Sequence, residues 1–252
     1  MRRYLLIRIM LVTFLLAACH EKSSNSQNEA ADIVQEADDL AEKSAADQLP
    51  ILNLACSGET GLKPKTIFEF VDMVNGLPKP LTLPCLVNAL AKPLKLIATD
   101  SRMSVQPAQG RDRPRIFFLH EGLILSVVPG EPELELGEIY QESLSIKAEL
   151  KFPLTAEIGL DAPFLTVGAM SNGGKRCGTY CHKTVIELEP VGEAMVYASQ
   201  IIRPNPLTEL PLEELRQHAA QCRDDEACLL YQAIFSSGMP LPFAFDPSLP
   251  TF

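Results

Sequence analysis

The chain has 252 residues, 46% of them apolar, with no tryptophan and 32 acidic against 22 basic side chains, a net charge of −10. That balance argues against partners that need a basic surface, nucleic acid and anionic lipid surfaces among them. Aromatic residues are 6% of the chain, too few for a carbohydrate platform built from flat rings.

Arg2, Arg3 and Arg8 precede and flank a short apolar run from Ile9 to Ala18. That run is about half of the ~20 residues a bilayer span needs, so the segment reads as a secretory signal. Leu16-Ala17-Ala18-Cys19 follows at its end and resembles the lipobox of bacterial lipoproteins. The resemblance implies that residues 1–18 are removed and that Cys19 becomes an acylated N-terminus, which partners the chain with a lipid bilayer. With ~0.8 kcal/mol per buried CH₂, several acyl chains hold firmly where one holds weakly. His20 stands where an Asp would favour the inner membrane, so the resemblance implies the outer membrane, with the body facing the periplasm. Loss of the three arginines takes the net charge from −10 to −13.

Residues 19–49 are rich in Ser, Asn, Glu and Asp, without the apolar content that a core requires, and read as a disordered tether. A β-rich domain with short N-terminal helices is expected over 50–206, and a helical hairpin with a Pro-rich tail over 207–252. Thr66-Ile-Phe-Glu69 is a capping box. Ile67, Phe70, Val71 and Val74 then recur at helical spacing, predicting a helix over 67–75 that Asn75-Gly76 stops in the left-handed region. Pro84 opens a second short helix ending by Ala91.

From Leu94 the period falls to two. Strands are expected at 94–99, 115–120, 123–128, 144–152, 184–189 and 194–199, with Glu121-Gly122 as a hairpin turn. Glu131, Glu133 and Glu135 read as a solvated strand face. Helices are predicted over Pro211–Cys222 and Asp224–Phe235, and the tail from Met239 to Phe252 is expected to run over the surface. The fold class is therefore α+β, with an antiparallel sheet or sandwich, short N-terminal helices and a disulfide-linked C-terminal helical hairpin.

Six cysteines remain beside Cys19, an even number that suggests disulfides in an exported chain. Sequential pairing gives Cys56–Cys85, Cys177–Cys181 and Cys222–Cys228. The first closes a 30-residue loop, worth roughly 3.6 kcal/mol in the chain-entropy model. Cys177-Gly-Thr-Tyr-Cys181-His182 has a plain reading as a small disulfide loop beside an incidental histidine. It also resembles the c-type haem attachment motif, with one residue too many between the thiols. That resemblance implies covalent haem, with Cys177 and Cys181 as thioether sites, His182 as axial ligand and Met239 as sixth ligand. A zinc site would need His120 or His218 as well. Gly168–Lys175 lacks the pattern of a phosphate loop, and no complete catalytic constellation is present. The leading functional expectation is a non-catalytic binding or scaffolding module of the outer membrane, with an envelope protein as a possible partner and no cofactor. The alternative is a periplasmic haem-bearing electron carrier.

Overall fold

Thr66 starts the first helix, α1 (Ile67–Gly76), by accepting from the Glu69 amide at 3.1 Å, while Glu69 reaches back to the Lys65 amide at 2.7 Å. The capping box thus closes one residue earlier than its usual form. Ile67, Phe70, Val71 and Val74 are buried, as their spacing predicts. The predicted left-handed stop is not used. Gly76 is the last helical residue and Leu77 turns extended at φ −85°, as a residue before proline prefers. The Lys79 ammonium bonds the Val74 and Leu77 carbonyls in its place, and both ends of the Asn75 amide bond Ile158 at 2.9 Å.

The structure is a computed structural model and describes residues 56–104, 106–169, 185–222 and 225–252. The signal segment, Cys19, the tether and the stretch holding Cys177, Cys181 and His182 lie outside the described residues. Pro50–Phe252 is one compact unit.

Helix α2 (Leu83–Ala89) carries Cys85, which is joined to Cys56 with Cα atoms 5.2 Å apart. The strands are β1 (Lys95–Thr99), β2 (Arg115–His120), β3 (Leu123–Val127), β4 (Glu133–Gln141), β5 (Leu144–Lys151), β6 (Val185–Glu187), β7 (Tyr197–Gln200), β8 (Glu209–Leu210) and β9 (Leu241–Pro242). They form one sheet in the order β6-β7-β5-β4-β3-β2-β1-β8, with β9 added alongside β1. Every described pairing is antiparallel except β1 with β9. The β2–β3 hairpin turns on Glu121 and Gly122, both at positive φ, which matches the twist of the flanking strands.

Because side chains alternate across a strand, the register sorts the sheet into two faces. One carries Leu96, Ile116, Phe118, Leu125, Leu136 and Ala148, each under 4% exposed, and makes the core. Helix α3 (Ala162–Ala169) packs on β5, with Phe164 edge-on to Phe68 of α1. Helices α4 (Leu212–Gln221) and α5 (Glu226–Phe235) are pinned by Cys222–Cys228, Cα atoms 5.5 Å apart. Helix α5 packs on α2 and is buried almost all round, as an apolar helix without a polar stripe must be.

Lys92 joins the two helices, donating to the Val87 carbonyl of α2 and the Ala233 carbonyl of α5 at 3.2 and 2.8 Å. Burial pushes its ammonium down from the ordinary 10.5 to about 8. The unfolded chain therefore holds this proton where the native one has released it, and stability should rise as pH passes from about 8 toward 10.5. Urea titrations at pH 8 and 10 check this. A Lys92→Met chain should lose that increment.

Candidate functional site

The second face of the sheet is mixed. Its central row runs Phe117–Ser126–Glu135–Glu149 across β2, β3, β4 and β5, and the next row runs Ile124–Gly137–Lys147. Val167 of α3 reaches this face, and the C-terminal tail covers more of it, being more than a loose surface run. Most of its residues are exposed, yet the Leu241 and Phe243 amides donate to the Leu94 and Leu96 carbonyls at 2.7 and 2.9 Å. Farther along, Arg203 exchanges backbone hydrogen bonds with Pro250 and Phe252 and donates through its guanidinium to the Leu249 and Pro247 carbonyls.

The tail thus holds its rings against the sheet. Phe117 meets Phe245 edge-on at 5.6 Å and Phe252 at 6.4 Å, and Phe243 packs on Phe245 at 4.8 Å. Between rings and sheet lies a cavity of about 650 Å³, within the range of small-molecule sites. The loop after β1 adds Arg102, Met103 and Ser104 to its lining, and Ile201 with Ile202 close another side.

One wall of the cavity is a polar network around Arg115. Its guanidinium lies 4.7 Å from the Phe117 centroid and 5.9 Å from that of Phe252, two rings on one side of a weakly hydrated cation. The Nε donates to Ser126 Oγ at 2.6 Å, one terminal nitrogen to Glu135 Oε2 at 2.5 Å, and the other to Ser104 Oγ. Ser126 donates on to Gln106 Oε1 at 3.0 Å, and the Gln106 amide donates to the Glu133 carbonyl at 2.8 Å. The Arg115 side chain is 8% exposed and that of Glu135 26%, so the pair is largely withdrawn from water and removing one partner strands the other. Glu135 is therefore no solvated face residue, contrary to the sequence expectation. Glu133 pairs with Lys151 at 3.2 Å, and Glu131 accepts from the Gln109 amide.

No family model, curated protein or solved structure matches this chain. The lining must therefore carry the functional argument. Lys147 Nζ donates to Ser145 Oγ at 2.7 Å on the cavity floor. Apolar walls with a few fixed polar groups are the composition of a binding site.

None of the described sequence-predicted site residues lines this cavity. Cys56–Cys85 and Cys222–Cys228 form as expected. Met239 sits on the α5–β9 connection, 43% exposed, and does not line the cavity. His120 is buried at the end of β2, its Nε2 without a hydrogen-bond partner, and burial holds its pKa below the ordinary histidine value. His218 lies on α4, 3.7 Å from Glu214. No group of three metal-binding side chains occurs among the described residues.

Sequence reasoning missed the cavity. Two signals were available. Arg115 opens an otherwise apolar strand, and Phe243 and Phe245 alternate as strand residues do.

Proposed function

We propose that this protein is a non-catalytic ligand-binding module of the cell envelope, anchored in the outer membrane through acylated Cys19. The observation that carries the binding half of this reading is the cavity between the sheet and the aromatic tail. Most of its lining is apolar, and the buried charge of Arg115 is bonded within the protein. The anchor half rests on Leu16-Ala17-Ala18-Cys19.

Growing cells in labelled palmitate and isolating the protein tests the anchor. Label on the wild-type chain, lost in Cys19→Ser together with sedimentation in the membrane fraction, is the expected result. An unlabelled wild-type chain overturns it. Native against denaturing mass spectra test the binding half. A bound molecule should add mass in the native spectrum and depart on denaturation. A haem mass that survives denaturation, with its pyridine haemochrome band, would replace this reading with an electron carrier on Cys177, Cys181 and His182.

A further inference from the structure

The cavity spans four adjacent strands, β2 to β5, which at ~4.8 Å per strand makes it roughly 14 Å long. The polar atoms around Arg115 and Ser145 are engaged with one another. Every nitrogen of Arg115 that can donate forward has an acceptor, Ser126 bonds Gln106, and Ser145 accepts from Lys147. A sugar or a peptide entering this space would bring hydrogen-bonding groups that find partners already taken, and burying them unpaired is costly. An unbranched apolar chain brings none, and Phe117, Phe245, Phe252 and Ile124 offer it a continuous wall.

The rim adds a charge. Arg102 lines the cavity, is exposed, and makes no hydrogen bond or ion pair among the described residues. Beside it Met103 is 72% exposed. The lining holds three basic side chains against two acidic ones, a net positive charge on a chain whose total is −10. An arginine at the mouth of an apolar slot pairs well with a planar carboxylate.

We infer that the cavity takes a single-chain anionic amphiphile of the fatty-acid class, its alkyl chain against the Phe117–Phe245–Phe252 wall and its carboxylate at Arg102. This deepens the binding reading above and rests on it.

The test uses the full mature chain carrying Cys19→Ser, which avoids detergent. The fluorescent probe is 11-(dansylamino)undecanoic acid, with palmitate, lysophosphatidylcholine and dodecyltrimethylammonium as competitors. Palmitate should displace the probe at one per chain. The cationic amphiphile should compete at least tenfold more weakly, and Arg102→Glu should weaken palmitate at least tenfold. Lysophosphatidylcholine competing as well as palmitate would mean that the chain is read without the head, and would overturn the assignment of Arg102.

Gly137 sits on the cavity floor, where an added Cβ would lie 3.3 Å from Ser145 Oγ. Gly137→Leu should abolish displacement by filling the slot. Ile124→Phe narrows the same space from the next strand if Gly137→Leu does not fold, folding being followed by circular dichroism. Unchanged palmitate binding in a folded filling variant places the ligand elsewhere and overturns the inference. If no amphiphile binds while a native mass adduct persists, the ligand class is wrong and the binding reading stands. If neither is seen, both fall.

Discussion

Arg115→Ala is expected to lower the free energy of unfolding by about 4 kcal/mol, the cost of breaking a largely buried ion pair from one side. Four losses add up. Glu135 loses its partner at 2.5 Å on the wall of the cavity. Ser126 and Ser104 lose their donors. The Phe117 and Phe252 rings lose the cation beside them, and the tail loses one of the contacts that hold its end against the sheet. Most of the cost lies in what the missing guanidinium leaves behind, so Arg115→Ala with Glu135→Gln should recover a substantial part of it. A double-mutant cycle in urea, read as a shift in midpoint at constant slope, separates the two. A loss below 1 kcal/mol in the single variant would mean that Arg115 is solvated in solution and the network is not the wall it is described to be.

That network shows where the sequence stops being legible. Local patterns dictate local structure here. Thr66 and Glu69 cap a helix, Glu121-Gly122 turns a hairpin, and the alternation from Leu144 to Lys151 makes a strand, because each signal acts within a few residues of itself. The disulfide Cys222–Cys228 follows for the same reason, six residues separating its ends, and Cys56–Cys85 follows from pairing the cysteines in sequence order. Helix α3 escaped because Ala162-Pro-Phe-Leu-Thr-Val-Gly-Ala169 is apolar on every side, and a segment without a polar face has no period to read. Strand β4 was legible only as acidic alternation. Nothing local says that Glu135 points at an arginine 20 residues away. The site depends on pairings farther apart still, since Phe245 and Phe252 reach Phe117 only because β9 lies beside β1. A tail of prolines and spaced phenylalanines states that it will not be a helix, but leaves open which edge it joins.

Tyr231→Ala should cost about 4 kcal/mol, the size expected when a buried aromatic ring is deleted and its surroundings close only in part. Tyr231 is 1% exposed and sits on α5, the helix that α2 and α4 both pack against. Its hydroxyl donates to the Asp112 carbonyl at 2.8 Å, tying the helix to the loop before β2. Tyr231→Phe keeps the ring and drops this bond, and should cost about 1 kcal/mol. The two substitutions together divide packing from hydrogen bonding at one position. Burial also raises the phenol pKa well above its ordinary 10. The unfolded chain ionises there while the native one keeps its proton, so this contribution is intact below pH 10 and is lost as pH rises beyond it. Lys92 acts in the opposite sense between about 8 and 10.5, which makes pH 8 to 10 the window for the lysine and the range above it the window for the tyrosine. Urea midpoints followed from pH 8 to 11.5 should show Tyr231→Phe losing less stability than the wild type above pH 10. Parallel curves through that range would show that the phenol reaches solvent, and the closed packing of α5 would have to be abandoned.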